Sequence, residues 1–352
     1  MGAMERRMEM TVAIDDTGCL HSFSGGTEKT QHVDADGKPF AEKSFGGTMG
    51  YPFTLEHRIP VIRKRVEAFL KQYKAAGVAA DFVFADWEID GPIEWNDAWA
   101  SSKRCRRCRE HVPEIDDFRK FQTALRTIRS RLQRVAFGDN VTAHFPDALV
   151  GNYGVYPHNG HRYWYDYFER ETPDAPALAD QKARYREWAH EFGPCGYTFA
   201  MPVVYTWYPT FGWYDFEPKD YRWFYNMLLT ASNAGRHTPQ QMPIIPFVHW
   251  HTTAPPDNPD PSVEQFSREN YQELLWHTLL RGHDTFFLWC TGRELATEIQ
   301  LVHEVYRESL QYSGFIDRGV PIEFDVPSKP GPVVSGLRPG HRVLARPTDS
   351  RS

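Results

Sequence analysis

The sequence predicts an α/β fold, a TIM-like (β/α) barrel that is distorted and has fewer than eight strands. Three observations lead there. Short apolar runs alternate with longer amphipathic runs along most of the chain, the pattern of strands joined by helical crossovers. No Gly-rich dinucleotide fingerprint and no phosphate-binding loop occurs, which favours a closed barrel over a doubly wound sheet. Six strands are marked, where a full barrel has eight.

The elements follow in order. "MTVAIDD" (10–16) reads as a short strand, and the Gly-rich residues 20–55 read as loop. "LEHRIPVIRKRVEAFLKQYKAAG" has helical spacing of apolar residues and a Gly stop. "DFVFADWE" is a buried strand, and "DDFRKFQTALRTIRSRLQRVAF" an amphipathic helix opened by Asp. "LVGNYGVYP" is the third strand, "DQKARYREWAHEF" a helix, and "GYTFAMPVVYTWYP" the fourth strand. "PKDYRWFYNMLLTASNAG" is a helix with Pro near its start and Gly after its end. The strand "MPIIPFVHWH" precedes a Ser-capped helix, "SRENYQELLWHTLLRG". "DTFFLWC" is the last strand and "GRELATEIQLVHEVYRESLQYSG" a closing helix. Residues 1–326 are expected to form one catalytic domain. "PIEFDV" adds an edge strand, and the Pro-, Gly- and Arg-rich residues 327–352 are expected to hang loosely as a tail.

Composition narrows the functional classes. The chain of 352 residues carries a net charge of −6, so no basic surface for nucleic acid is expected. No apolar run is long enough to cross a membrane. The opening "MGAMERRMEM" is polar and has no apolar signal core, and the compartment stays open. Aromatics reach 14%, with 11 Trp and 17 Tyr. Flat rings with polar tips suit sugar binding as well as a core. Five cysteines do not make a disulfide framework.

Chemistry gathers at strand ends, where barrel enzymes carry their catalytic residues. Asp86 and Glu88 stand two apart after "FVFA", so they share one strand face with Trp87 on the other. Two neighbouring carboxylates repel, and one should keep its proton to higher pH. A protonated carboxyl is what glycoside hydrolysis asks of its general acid. The plainer alternative is a helix cap or a salt-bridged pair. Tyr153 and Tyr156 flank a glycine after the third strand, Tyr205 and Trp207 end the fourth, and Trp289 ends the last.

The blocks "FADWE", "GNYGVYP", "MPVVYTW", "IIPFVHW" and "FFLWC" together resemble, in order and approximate spacing, the hyaluronidases, glycoside hydrolases acting on β-linked N-acetylhexosamine polymers. The resemblance spans about residues 80–295. It implies a distorted barrel of fewer strands and an oligo- or polysaccharide substrate, with no cofactor. It further implies Glu88 as general acid and Asp86 as the partner that orients the substrate acetamido group. Tyr205 would assist that group, with Tyr153 near the reacting sugar and Trp289 as a platform. Tyr156, Trp207 and His249 complete the expected substrate site. The chain departs from the family in reading "IDGPIEW" after Asp-Trp-Glu and in lacking the flanking cysteines.

Other readings compete. An inverting glycosidase would pair Glu88 with a remote base such as Asp215 or Asp166. His249 and His251 share a strand face at a spacing that can bind a divalent metal, although hydrogen bonding near the strand mouth is the plainer role. A carbohydrate-binding protein would keep the aromatics without needing Glu88. "CRRCREH", with Cys105, Cys108 and His111, is half of a zinc site. No second pair stands at a suitable spacing, so ordinary thiols or a local disulfide are expected, with the arginines on a solvated face. Oligomeric state is not legible.

Overall fold

The computed structural model describes residues 11–14, 28–40, 42–44, 47–85, 98–153, 194–206, 211–212, 214–252, 262–289 and 295–349. The chain divides into two compact units. One holds residues 1–155, 161–181 and 188–199; the other holds 156–160, 182–187 and 200–352.

The first unit is built on a parallel sheet. β1 (Thr11–Ile14), β6 (Phe82–Ala85) and β7 (Leu149–Asn152) pair in the order β1-β6-β7, with Ile14, Ala85 and Asn152 in one row. All four residues of β6 are buried, as a continuous apolar run in a covered parallel sheet should be. The stretch expected to be loop contains two small antiparallel hairpins instead. These are β2 (His32–Val33) with β3 (Pro39–Phe40), and β4 (Glu42–Ser44) with β5 (Gly47–Met49). An Asx turn closes the first, Asp34 Oδ1 accepting from the amides of Asp36 and Lys38.

Helix α1 (Leu55–Ala75) buries Leu55, Arg58, Ile62, Val66 and Leu70, a stripe at intervals of three and four. It ends where Gly77 takes a φ of 74°. α2 (Ala98–Arg104) and α3 (Arg106–His111) are short helices in a stretch where the sequence marks no element. α4 (Phe118–Gln133) passes through a π-helical turn at 134–138 into α5 (Asp139–His144). Gly151 in β7 has a packing reason, because a Cβ there would stand 2.6 Å from the ring of Phe199.

The second unit repeats the parallel scheme. β8 (Val203–Val204), β9 (Phe247–Val248) and β10 (Phe287–Leu288) pair in parallel with β9 in the middle. α6 (Asp220–His237) connects β8 to β9, and α7 (Arg268–Leu279) connects β9 to β10. α8 (Leu295–Ser309) follows β10. Their facing sides meet in a core that includes Val204, Trp223, Met227, Leu228, Val248, Leu274 and Leu275. Ser267 caps α7 as expected, its Oγ accepting from the Asn270 amide at 3.2 Å. α6 does not stop at Gly235 but runs through it. A Cβ there would lie 2.2 Å from the carbonyl oxygen of Arg281, so the glycine serves close approach and not termination.

The C-terminal residues do not hang loosely. After the short helix α9 (Ser313–Ile316), β11 (Val320–Pro321), β12 (Pro332–Arg338) and β13 (Leu344–Asp349) form an antiparallel sheet. Val333 and Leu337 are each 1% exposed. Buried Arg281 donates to Ser335 Oγ, Ser232 Oγ and the carbonyls of Phe324 and Asp325. His277 bonds Ser335 and Thr348. The polar composition misled because β12 and β13 pair with each other and need only a few apolar side chains facing the helices.

The α/β class and six parallel strands thus stand. No sheet of the described residues closes on itself into a barrel.

Candidate active site

Register builds the site in the second unit. Val204, Val248 and Leu288 lie in one row across the sheet. The next residue on each strand is therefore Tyr205, His249 and Trp289, one row at the C-terminal edge. The Trp289 amide donates to the Val248 carbonyl at 2.9 Å, continuing the ladder by one residue. Three separate strand ends become one cluster because parallel strands in register end together.

The three rings touch. Tyr205 and Trp289 stack at 5.4 Å between centroids, 24° apart. His249 meets both edge-on, at 6.0 Å from Tyr205 and 5.3 Å from Trp289. Tyr205 and His249 are buried, whereas Trp289 is 37% exposed. The row thus offers solvent an indole supported from behind by a phenol. His251 lies 6.2 Å from His249, centroid to centroid.

A carboxylate not singled out from the sequence holds this row in place. Glu298 in α8 is fully buried. Its Oε2 lies 3.0 Å from His249 Nδ1. Its Oε1 accepts from the Trp250 amide and from the Tyr271 hydroxyl, both at 2.9 Å. With Glu298 accepting, His249 carries a proton on Nδ1 and donates it to the carboxylate. One signal was available. Glu298 falls on the buried stripe of α8, with Leu301, Val305 and Ser309, where an acid is out of place unless it is bonded.

The segment after His249 is pinned as well. Trp250 Nε1 donates to the Phe266 carbonyl at 2.8 Å, and Gln265 bridges the Trp250 carbonyl and the Thr252 amide. These bonds limit how far the ring of His249 can move.

In the first unit, Tyr153 is buried at the end of β7, and its amide donates to the Ala85 carbonyl at 2.8 Å. Asp86, Trp87 and Glu88 follow Ala85 directly in the sequence. Asp86 and Glu88 lie outside the described residues, as do Tyr156, Trp207 and Asp166. Asp215 is fully exposed on its side chain and stands 3.8 Å from Arg222. Cys105 and Cys108 are buried thiols and not a disulfide. His111 stacks on Phe53 at 5.0 Å and stays apart from that pair.

No family model matches the chain, and no curated protein matches it. Among solved structures, bee venom hyaluronidase matches with 16% identity and a TM-score of 0.43, over 87% of this chain and 86% of that one.

Proposed function

We propose that this protein is a glycoside hydrolase acting on a glycan that contains N-acetylhexosamine. The observation that carries the reading is the row Tyr205, His249, Trp289 at the C-terminal edge of a parallel sheet. An exposed indole backed by a stacked phenol is a platform for the C–H face of a pyranose. The five sequence blocks resembling hyaluronidases, and the carboxyl pair that follows β6, support the same reading. The scaffold proposed for it is the reduced barrel read from the sequence.

The chemistry follows from the spacing of Asp86 and Glu88. In an extended chain, carboxyls two residues apart approach a sugar from one side, so in this proposal they do not divide into acid and opposed nucleophile. The nucleophile in this proposal is the substrate's own 2-acetamido oxygen, the substrate-assisted exception to the two-carboxylate scheme. Its attack on the anomeric carbon breaks the glycosidic bond as Glu88 gives its proton to the leaving oxygen, leaving an oxazolinium ion. Glu88 then takes a proton from the water that opens this ion. Asp86 holds the acetamido N–H and stabilises its positive charge, while Tyr205 orients the oxygen.

The test is Glu88→Gln, which keeps shape and loses the proton. Hydrolysis of N-acetylated oligosaccharides should fall by about 10²–10⁴-fold, with the circular dichroism spectrum unchanged. Proton NMR of the first product should show retained anomeric configuration. Near-normal turnover by the folded variant, or an inverted product, would refute the proposal.

One observation favours a second reading. A carboxylate on Nδ1 is also how metal-ligating histidines are held. A metal-dependent hydrolase using His249 and His251 would lose activity on chelation and regain it with zinc.

A further inference from the structure

We propose that His32, Cys105 and Cys108 form a zinc-binding site in the first unit, independent of the hydrolase reading. Their ligand atoms lie within 4.8 Å of one another, and all three residues are buried. His32 Nδ1 is 3.7 Å from Cys108 Sγ. Around a tetrahedral zinc, Zn–S of about 2.3 Å and Zn–N of about 2.0 Å put sulfur and nitrogen about 3.5 Å apart. The three groups therefore need to move little to share one ion, and a fourth donor, water or side chain, completes the tetrahedron.

Local structure explains how three residues so far apart in sequence meet. Cys105 is the extended residue just before α3, and Cys108 lies in the helix's first turn. Positions three apart share a helix face, so both sulfurs point one way. His32 arrives on β2 of the first hairpin. Arg107, between the two cysteines, secures that approach by donating from Nη1 to the carbonyls of Glu28 and Gln31. Phe40 stacks on the imidazole at 5.0 Å and 14°. The surrounding residues include Tyr51, Phe53, Val112 and Ile115, an apolar shell that lowers the local dielectric and strengthens metal–ligand attraction.

A further feature points to a cation. His32 Nδ1 faces the Cys108 sulfur, a poor hydrogen-bond partner for an imidazole but a natural co-ligand around a metal. The same motif with exposed sulfurs would suggest a redox pair. Here both cysteines have no solvent exposure, which hinders thiol exchange with any partner.

The experiment uses the full-length chain purified under reducing conditions without chelator. Elemental analysis should find one zinc per chain. Replacement by Co²⁺ should give sulfur-to-cobalt charge-transfer absorption in the near ultraviolet. Cys105→Ser/Cys108→Ser should lose both signals, and His249→Ala should keep them. If the double variant fails to fold, Cys108→His supplies a ligand in place of the thiolate and should retain zinc with a weaker charge-transfer band. A chain that takes up no zinc or cobalt after reconstitution would overturn the proposal. So would an intact mass two hydrogens light that maps to a Cys105–Cys108 disulfide, or zinc lost in His249→Ala but kept in the cysteine variant.

Discussion

His249 Nδ1 lies 3.0 Å from Oε2 of Glu298, a carboxylate on a helix 49 residues further along the chain. The same carboxylate also takes the Trp250 amide and the Tyr271 hydroxyl. One buried acid therefore sets the position of the strand end and the orientation of its ring.

Removing it should be costly. Glu298→Ala removes the acceptor of three buried donors, and urea unfolding should show a loss of about 3–5 kcal/mol. Glu298→Gln retains an acceptor and should cost about 1–2 kcal/mol. An alanine variant as stable as the parent would show that Glu298 does not anchor this edge.

Trp289→Ala tests the platform separately from the fold. The indole is 37% exposed, so little of the core is lost. The KM for an N-acetylated oligosaccharide should rise about tenfold, equivalent to about 1.4 kcal/mol of binding. Trp289→Phe should fall between the two. Unchanged KM in both variants would remove Trp289 from the substrate site.

Acid should loosen the second unit. Burial holds the His277 imidazole down to about 3, and burial likewise holds His283 at about 4, both below the ordinary 6.5. A group whose folded pKa is lowered this way is neutral in the fold, and the unfolded chain binds its proton first. The stability it contributes is complete above about 6.5 and drains away as pH falls toward the folded value. His277 alone should cost about 2 kcal/mol between about pH 6.5 and pH 5. Urea unfolding across that range should show the decline, and His277→Gln should flatten it. Equal slopes for parent and variant would place the acid sensitivity elsewhere.

The C-terminal sheet should be indispensable. Deleting residues 327–352 removes the Ser335 partner of both His277 and Arg281 and uncovers the core beneath Val333 and Leu337. The truncated chain should be insoluble or lack a cooperative thermal transition. Leu337→Ala, a milder lesion, should cost about 2–5 kcal/mol. A truncated protein melting like the parent would return this segment to the status of a tail.

By itself the sequence determined the elements whose signals are local. The six parallel strands read from short apolar stretches, and the cap at Ser267 read from residue type, because both depend on neighbours a few positions away. Tyr205, His249 and Trp289 were legible as strand ends for the same reason. That they stack in one row was decided by register, which is set by pairing between strands and not within any of them. Glu298 beneath His249, and His32 beside Cys105 and Cys108, are contacts across 49 and about 75 residues. No periodicity or spacing encodes a meeting of that kind. It arises when packed helices and hairpins bring distant side chains into one desolvated space, where each buried polar group must find its partner.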